Sequence, residues 1–372
     1  MTSAPAASDR EVAGPEPPED EEMPRVALTR RRALLFGLFV VSAIAFLYFV
    51  LPRLAGLRET WHRLNDGDPW WLAMALVFEM LEFVGYIWLF RTVFVRGHER
   101  RLGWQASYEI TMAGLAATRL FAAGGAGGIA LTVWALRRAG MERRTVACRM
   151  VANLVLLYVV YDLALIVCGL LLRTGLVPGE HPFVLTVVPA IFAGILFIIF
   201  CLIGLLPGDL DRRLERWSRG GGRLARIVAK VSTLPTSVGL GVRTAWGLVR
   251  ERNPGVLGAV MWWGFDIAVL WACFRAFGTP PPVSIVVMSY FVGMLANTLP
   301  LPGGIGGVDG GMIGTFIAFG VPGGLAVVAV LVYRGYSFWL PTVPGAVAYV
   351  QLRRRVAGWD AEREPAAITA RV

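Results

Sequence analysis

The chain has 372 residues, 56% of them hydrophobic and 17% charged, and a mean hydropathy of +0.60. Soluble domains run about 45–50% apolar and about 25% charged. A chain shifted both ways, with its apolar residues in long uncharged runs, is excluded as a soluble enzyme, a disordered polypeptide or a small disulfide scaffold. It reads as a polytopic membrane protein.

In chain order, residues 1–24 come first, rich in Pro and Ala and holding seven acids (Asp9, Glu11, Glu16, Glu19, Asp20, Glu21, Glu22) against Arg10 alone. Such a segment cannot bury enough apolar area to order itself and is read as a disordered cytoplasmic tail. A membrane domain follows over 25–352. A bilayer core of about 30 Å needs about 20 apolar residues in a helix. The candidate spans are 33–51, 70–95, 105–121, 146–172, 183–206, 255–277, 283–301 and 324–350. Two further apolar pieces, 124–136 and 304–319, are glycine-rich and too short to span comfortably. Residues 353–372 form a second cytoplasmic tail.

The net charge of +10 is unevenly placed. Basic clusters sit between apolar runs: Arg25 and Arg30–Arg32, then Arg96, Arg100 and Arg101, then Arg137, Arg138, Arg143 and Arg144. The segment 207–253 is strongly basic, and Arg353–Arg355 follow the last span. This is the signature of the positive-inside rule rather than of nucleic-acid binding, and it places both termini in the cytoplasm of a multi-pass cell-membrane protein. All five clusters share that side only if both short glycine-rich pieces are re-entrant hairpins. The segment 207–253 mixes Leu214, Trp217, Leu224, Ile227 and Val228 with arginines, a pattern suited to contact with anionic lipid or to plain positive-inside bias.

At an offset of 179, GLAATRLFAAGGAGG (114–128) lies over GMLANTLPLPGGIGG (293–307), with both GGxGG runs aligned. Each half, 33–172 and 183–350, reads span, span, broken hairpin, span. The expected fold is therefore all-α, with about eight transmembrane helices and two re-entrant hairpins in an inverted-topology repeat. Secondary transporters of this architecture place substrate where the broken helices meet near the midplane. Glycine suits such a break because it permits positive φ and close approach; close helix packing through small residues is the alternative use.

Residues 297–310 (NTLPLPGGIGGVDG), the turn GVP (320–322) and YRGYSFWLP (333–341) resemble the membrane region of the lysylphosphatidylglycerol synthase family, also called flippase-like or YbhN-like. Pro302, Gly303, Gly304, Ile305 and Gly306 match its pattern, as do Tyr333, Arg334, Trp339 and Pro341. Asp309 stands where the family usually has Glu. In the first repeat Phe121 and Ala130 occupy the positions equivalent to Pro300 and Asp309. No soluble synthase domain is read after residue 350, so the resemblance implies the lipid-translocating part alone.

An ionisable group inside a span is a functional candidate by default. Those here are Glu79, Glu82, Arg119, Asp162, Asp266, Arg275, Asp309 and Arg334. Glu79 and Glu82 stand i,i+3 on one helix face, and with Asp162 and Asp266 they are candidates for proton coupling. Arg119 and Arg334 offer bidentate donors for a lipid phosphate. With Gly124, Gly125, Asn297, Gly303, Gly304 and Asp309 they make up the expected substrate site. Ion pairs tying helices together are the competing role for every one of these charges. Glu109 is placed at the interface.

Cys148, Cys168, Cys201 and Cys273 share no CxxC spacing, and His62, His98 and His181 stand apart, so neither a metal site nor a cofactor is expected. There is no catalytic constellation and no Walker motif. The leading expectation is a non-enzymatic flippase or transporter for a phospholipid or lipid-linked precursor. The alternatives are a membrane transferase acting on a lipid headgroup and a non-catalytic partner subunit.

Overall fold

The computed structural model describes residues 66–95, 101–120, 126–177, 182–205, 236–298, 304 and 306–369. The described residues form eleven α-helices and no strand. They are α1 (Pro69–Phe94), α2 (Trp104–Leu120), α3 (Ala126–Arg138), α4 (Arg143–Arg173), α5 (Phe183–Leu205) and α6 (Thr236–Arg250). Then follow α7 (Leu257–Phe277), α8 (Val283–Met294), α9 (Gly307–Ala318), α10 (Gly323–Arg334) and α11 (Leu340–Thr369). Five stretches are long and apolar enough to cross a bilayer: Pro69–Phe94, Arg143–Arg173, Phe183–Gly204, Pro254–Phe277 and Gly323–Ala361. The chain is an all-α membrane protein.

The expected spans 70–95, 146–172, 183–206, 255–277 and 324–350 coincide with these five, while 33–51 lies outside the described residues. The remaining two are not among the five: α2 (Trp104–Leu120) matches the expected 105–121 in length, and α8 stops short of 301. α2 carries Ser107, Glu109, Thr111 and Arg119 within its 17 residues. The span proposed for 283–301 is helical only to Met294, after which Leu295–Thr298 tightens into a 3₁₀ turn before Pro300. The last span continues as helix to Thr369, through the stretch expected to be a tail.

Local chemistry explains the helix starts. Asp68 caps α1 by accepting the Trp70 N–H at 2.9 Å, and Pro69 occupies the first turn, where its missing N–H costs nothing. Asn253 and Pro254 repeat the device ahead of α7. Between α10 and α11 the helix widens into a π-turn, Gly335–Trp339, in which the Leu340 N–H donates to the Gly335 carbonyl five residues back. Pro341 accounts for it: the ring has no N–H and would clash with the carbonyl four residues earlier, that of Ser337.

α1 and α7 are antiparallel partners along their length. The Asp68 N–H donates to the Ala276 carbonyl at 2.9 Å at one end, and Phe78 and Phe265 stack at 6.0 Å in the middle. At the other end Gly85 and Gly258 bring the two backbones together, so a side chain at either would strike its neighbour's main chain. The hairpins α2–α3 and α8–α9 also cross at glycine. A Cβ on Gly114 would sit 3.1 Å from Thr132, and one on Gly311 would sit 3.2 Å from Gly293. Gly114 and Gly293, and likewise Thr132 and Gly311, are related by the offset of 179 found in the sequence.

Two apolar cores result. One gathers α8, α9 and α10 with parts of α4 and α7; the other gathers α2, α3, α6 and α11 with the start of α4. α6 packs on α4 through Val242, Ala245 and Leu248, so this part of the basic 207–253 segment belongs to the helix bundle; residues 206–235 lie outside the described residues. α5 exposes Ile191, Ile195, Ile198 and Leu202, the pattern of a helix facing lipid.

Candidate functional site

The antiparallel register of α1 and α7 decides where the acids meet. On α1, Ala75 belongs to the first core and Phe83 to the second; on α7, Val269 and Ala259 divide the same way. Glu79 and Glu82 on α1 and Asp266 on α7 therefore face one another at the seam between the cores. Each offers a carboxylate oxygen within 4.8 Å of the others, and their exposures are 0%, 2% and 5%. Both oxygens of Glu79, Oε2 of Glu82 and Oδ1 of Asp266 have no hydrogen-bond partner among the described residues. The second oxygen of Asp266 accepts from the Tyr290 hydroxyl of α8 at 2.5 Å. Tyr333 of α10 is fully buried beside Tyr290, with ring centroids 6.3 Å apart.

The two arginines meet at the π-turn. Phe338 presents its ring to both, 4.9 Å from the Arg334 guanidinium carbon and 5.8 Å from that of Arg119. Beyond that their situations differ. Arg334 Nε lies 2.6 Å from Asp309 Oδ1 in an ion pair whose acid is nearly buried. Asp309 is held a second time at the start of α9, where its Oδ2 accepts the Gly306 N–H at 2.8 Å. Arg119 makes no ion pair with a described residue; its recorded contact is a 3.4 Å donation to the Phe338 carbonyl. It nevertheless lies within electrostatic reach of Glu79, Glu82, Asp266 and Arg334.

Of the residues expected at the site, Glu79, Glu82, Asp266 and Arg119 come together, and Arg334 and Asp309 adjoin them as a pair. Asp162 is buried on α4 and stands outside the acid group. Gly304 is buried with φ +66°, and Gly306 follows with φ +82°, the left-handed backbone that glycine tolerates. Gly124, Gly125 and Gly303 lie outside the described residues, as does the side chain of Asn297, whose backbone sits in the 3₁₀ turn. Arg275 rests over the Trp71 ring at 5.8 Å, near a helix end. Glu109 is buried within the protein. It is 1% exposed and holds Arg355 by two bonds of 2.6 and 2.8 Å, tying α2 to α11.

The described motif, from the glycines of 304–307 through Asp309 to Tyr333 and Arg334, belongs to a stretch with known relatives. The family model for the lysylphosphatidylglycerol synthase TM region matches residues 34–345. The chain belongs to this family. A UPF0104 membrane protein of Methanothermobacter thermautotrophicus is 31% identical over 150 residues, 38% of this chain and 42% of the relative. A second match of that description from the same organism is 31% identical over 169 residues, 42% of this chain and 51% of the relative. The chain thus spans about half or less of these two. A third is 23% identical over 328 residues, covering 84% of this chain and 93% of the relative.

Within this lysylphosphatidylglycerol synthase TM-region chain, the sequence reading passed over Tyr290, Phe338 and the site role of Tyr333. A tyrosine inside an apolar helix is a usable signal, because its hydroxyl needs a partner when buried. Phe338 carries no such mark. Its role depends on the π-turn, which Pro341 announces.

Proposed function

We propose that this chain moves an anionic lipid, a phospholipid or a lipid-linked precursor, across the cell membrane without ATP and without covalent chemistry. The observation that carries the reading is the state of Arg119. A guanidinium at the seam of an apolar helical bundle is costly unless it has an anionic partner or water. Arg334 has Asp309; Arg119 has a long contact to one carbonyl and no ion pair with a described residue. Its planar fork of donors, engaged in no ion pair with a described residue, suits a lipid phosphate in a bidentate manner. The expected inverted repeat supports the same reading, since the matched glycine crossings at Gly114 and Gly293 lie on hairpins from the two halves. Membership of the lysylphosphatidylglycerol synthase TM-region family adds to it.

The test is reconstitution of the purified chain in proteoliposomes holding a headgroup-labelled anionic lipid, followed by the accessibility of the label from outside. The reading requires label to cross faster than in protein-free vesicles and in vesicles with a zwitterionic analogue. Absence of movement for every anionic and polyprenyl lipid tried overturns it. Conversion of a labelled headgroup donor into new lipid would point instead to a transferase.

A further inference from the structure

We propose that Glu79, Glu82 and Asp266 form a binding site for a hard divalent cation. The donors are oxygen only, which suits calcium, magnesium or manganese rather than zinc or copper. The carboxylate oxygens lie within 4.8 Å of one another, so small side-chain rotations bring all three onto one central ion at the roughly 2.3–2.6 Å of calcium–oxygen bonds.

The hydrogen-bond pattern points inward to such an ion. Among the described residues, fully buried Glu79 finds no hydrogen-bond partner for either oxygen, and Glu82 and Asp266 each leave one oxygen unsatisfied. Tyr333 is a separate observation. It comes from α10, is fully buried, and stands against Asp266 with a hydroxyl that makes no close, well-directed hydrogen bond to a described residue. Tyr290 holds the other Asp266 oxygen, the arrangement by which an outer partner orients a metal-binding carboxylate.

Charge selects the valence. Three carboxylates face Arg119, which makes no ion pair with a described residue, while Arg334 is matched by Asp309. Once ion binding has displaced any protons from the three carboxylates, they carry two negative charges beyond that of Arg119, and one dication cancels both. The sequence offered no sign of this, because metal sites are legible there as Cys and His spacing, whereas these ligands come from helices almost two hundred residues apart.

The site stands on its own geometry and needs no assumption about lipid movement, so its test is an equilibrium one. The full chain in nanodiscs of zwitterionic lipid is titrated with Mn²⁺ and followed by electron paramagnetic resonance, with Ca²⁺ and Mg²⁺ as competitors. Thermal unfolding is measured in parallel, with each cation and with a chelator. One Mn²⁺ per chain is expected, displaced by Ca²⁺ or Mg²⁺, with an unfolding temperature that rises with cation concentration. Glu79→Gln and Asp266→Asn are expected to weaken binding at least tenfold, and Tyr290→Phe by about 10–100-fold. Glu251→Gln, at an exposed position, is expected to bind as the parent does.

In chelator, Glu79→Gln is expected to be at least as stable as the parent, because it removes an uncompensated charge; a purely structural Glu79 would show the reverse. The proposal is overturned if the parent binds no Mn²⁺, or if binding and stabilisation are the same in the Glu79→Gln and Asp266→Asn variants. A stability that responds to pH but to none of the three cations also overturns it, and assigns the seam to protons.

Discussion

Arg334 Nε and Asp309 Oδ1 stand 2.6 Å apart, joining the end of α10 to the first turn of α9. Asp309 also accepts the N–H of Gly306, so one carboxylate caps a helix and anchors its neighbour. Removing the arginine leaves a buried acid without compensation. Arg334→Gln is expected to cost about 3–5 kcal/mol of stability. The double variant Arg334→Gln/Asp309→Asn is expected to lose less than the sum of the two single changes, because it removes the pair together. Thermal or denaturant unfolding of the four proteins in one detergent measures the coupling. Loss of activity in Arg334→Gln would then report on folding before it reported on phosphate binding.

The pair Glu109–Arg355 ties α2 to α11 by two parallel bonds of 2.6 and 2.8 Å. Arg355 is partly exposed while Glu109 is not, so the cost falls on the acid left behind. Arg355→Ala is expected to lose about 1.5–3 kcal/mol, in the range of hydrogen bonds to charged groups. Arg355→Lys is expected to restore only part of this, since an ammonium cannot reproduce the bidentate fork. Unfolding midpoints of the two variants decide it.

The hairpin α8–α9 depends on close approach at Gly293. A Cβ there would meet the Met312 backbone nitrogen at 2.9 Å, and main chain cannot move aside as a side-chain tip can. Gly293→Ala is expected to destabilise by about 1–3 kcal/mol, the range for overpacking a filled core. Gly314, on the same α9, has nothing within 4 Å of an added Cβ. Gly314→Ala is expected to be neutral or to gain up to about 1 kcal/mol through helix propensity. The two alanine variants, compared by their melting temperatures, separate crowding from propensity.

The helices were readable because apolar length alone identifies a spanning segment, whatever the tertiary fold. That is why α1, α4, α5 and α7 stand where the hydrophobic runs placed them. α8 defeated the rule, since the apolar run continues past Met294, where Leu295–Thr298 tightens into a 3₁₀ turn. The i,i+3 pair Glu79 and Glu82 was legible as one face, because helix geometry fixes it locally. Their meeting with Asp266 was not, because it depends on the antiparallel register that Gly85 and Gly258 impose on α1 and α7. Asp309 and Arg334 were read as ligand contacts from their motif. Their mutual ion pair needs α9 and α10 folded back on one another, which no spacing in the sequence encodes.

Arg119 is where folding and function separate. It forms no ion pair with a described residue, and its contact to the Phe338 carbonyl is long at 3.4 Å. Arg119→Ala breaks no ion pair with a described residue and is therefore expected to lose less stability than Arg334→Gln. If the guanidinium takes the lipid phosphate, the same variant loses most of the lipid movement in proteoliposomes. A hydrogen bond to a charged group contributes about 1.5–3 kcal/mol, equivalent to roughly ten- to more than hundredfold in rate if the contact tightens in the transition state. Arg119→Lys keeps the charge but loses the fork, and is expected to fall between the two. The comparison is decisive in both directions. An Arg119→Ala protein that is stable and fully active removes Arg119 from the substrate path, whereas one that is stable and inactive, with partial recovery in Arg119→Lys, places phosphate recognition there.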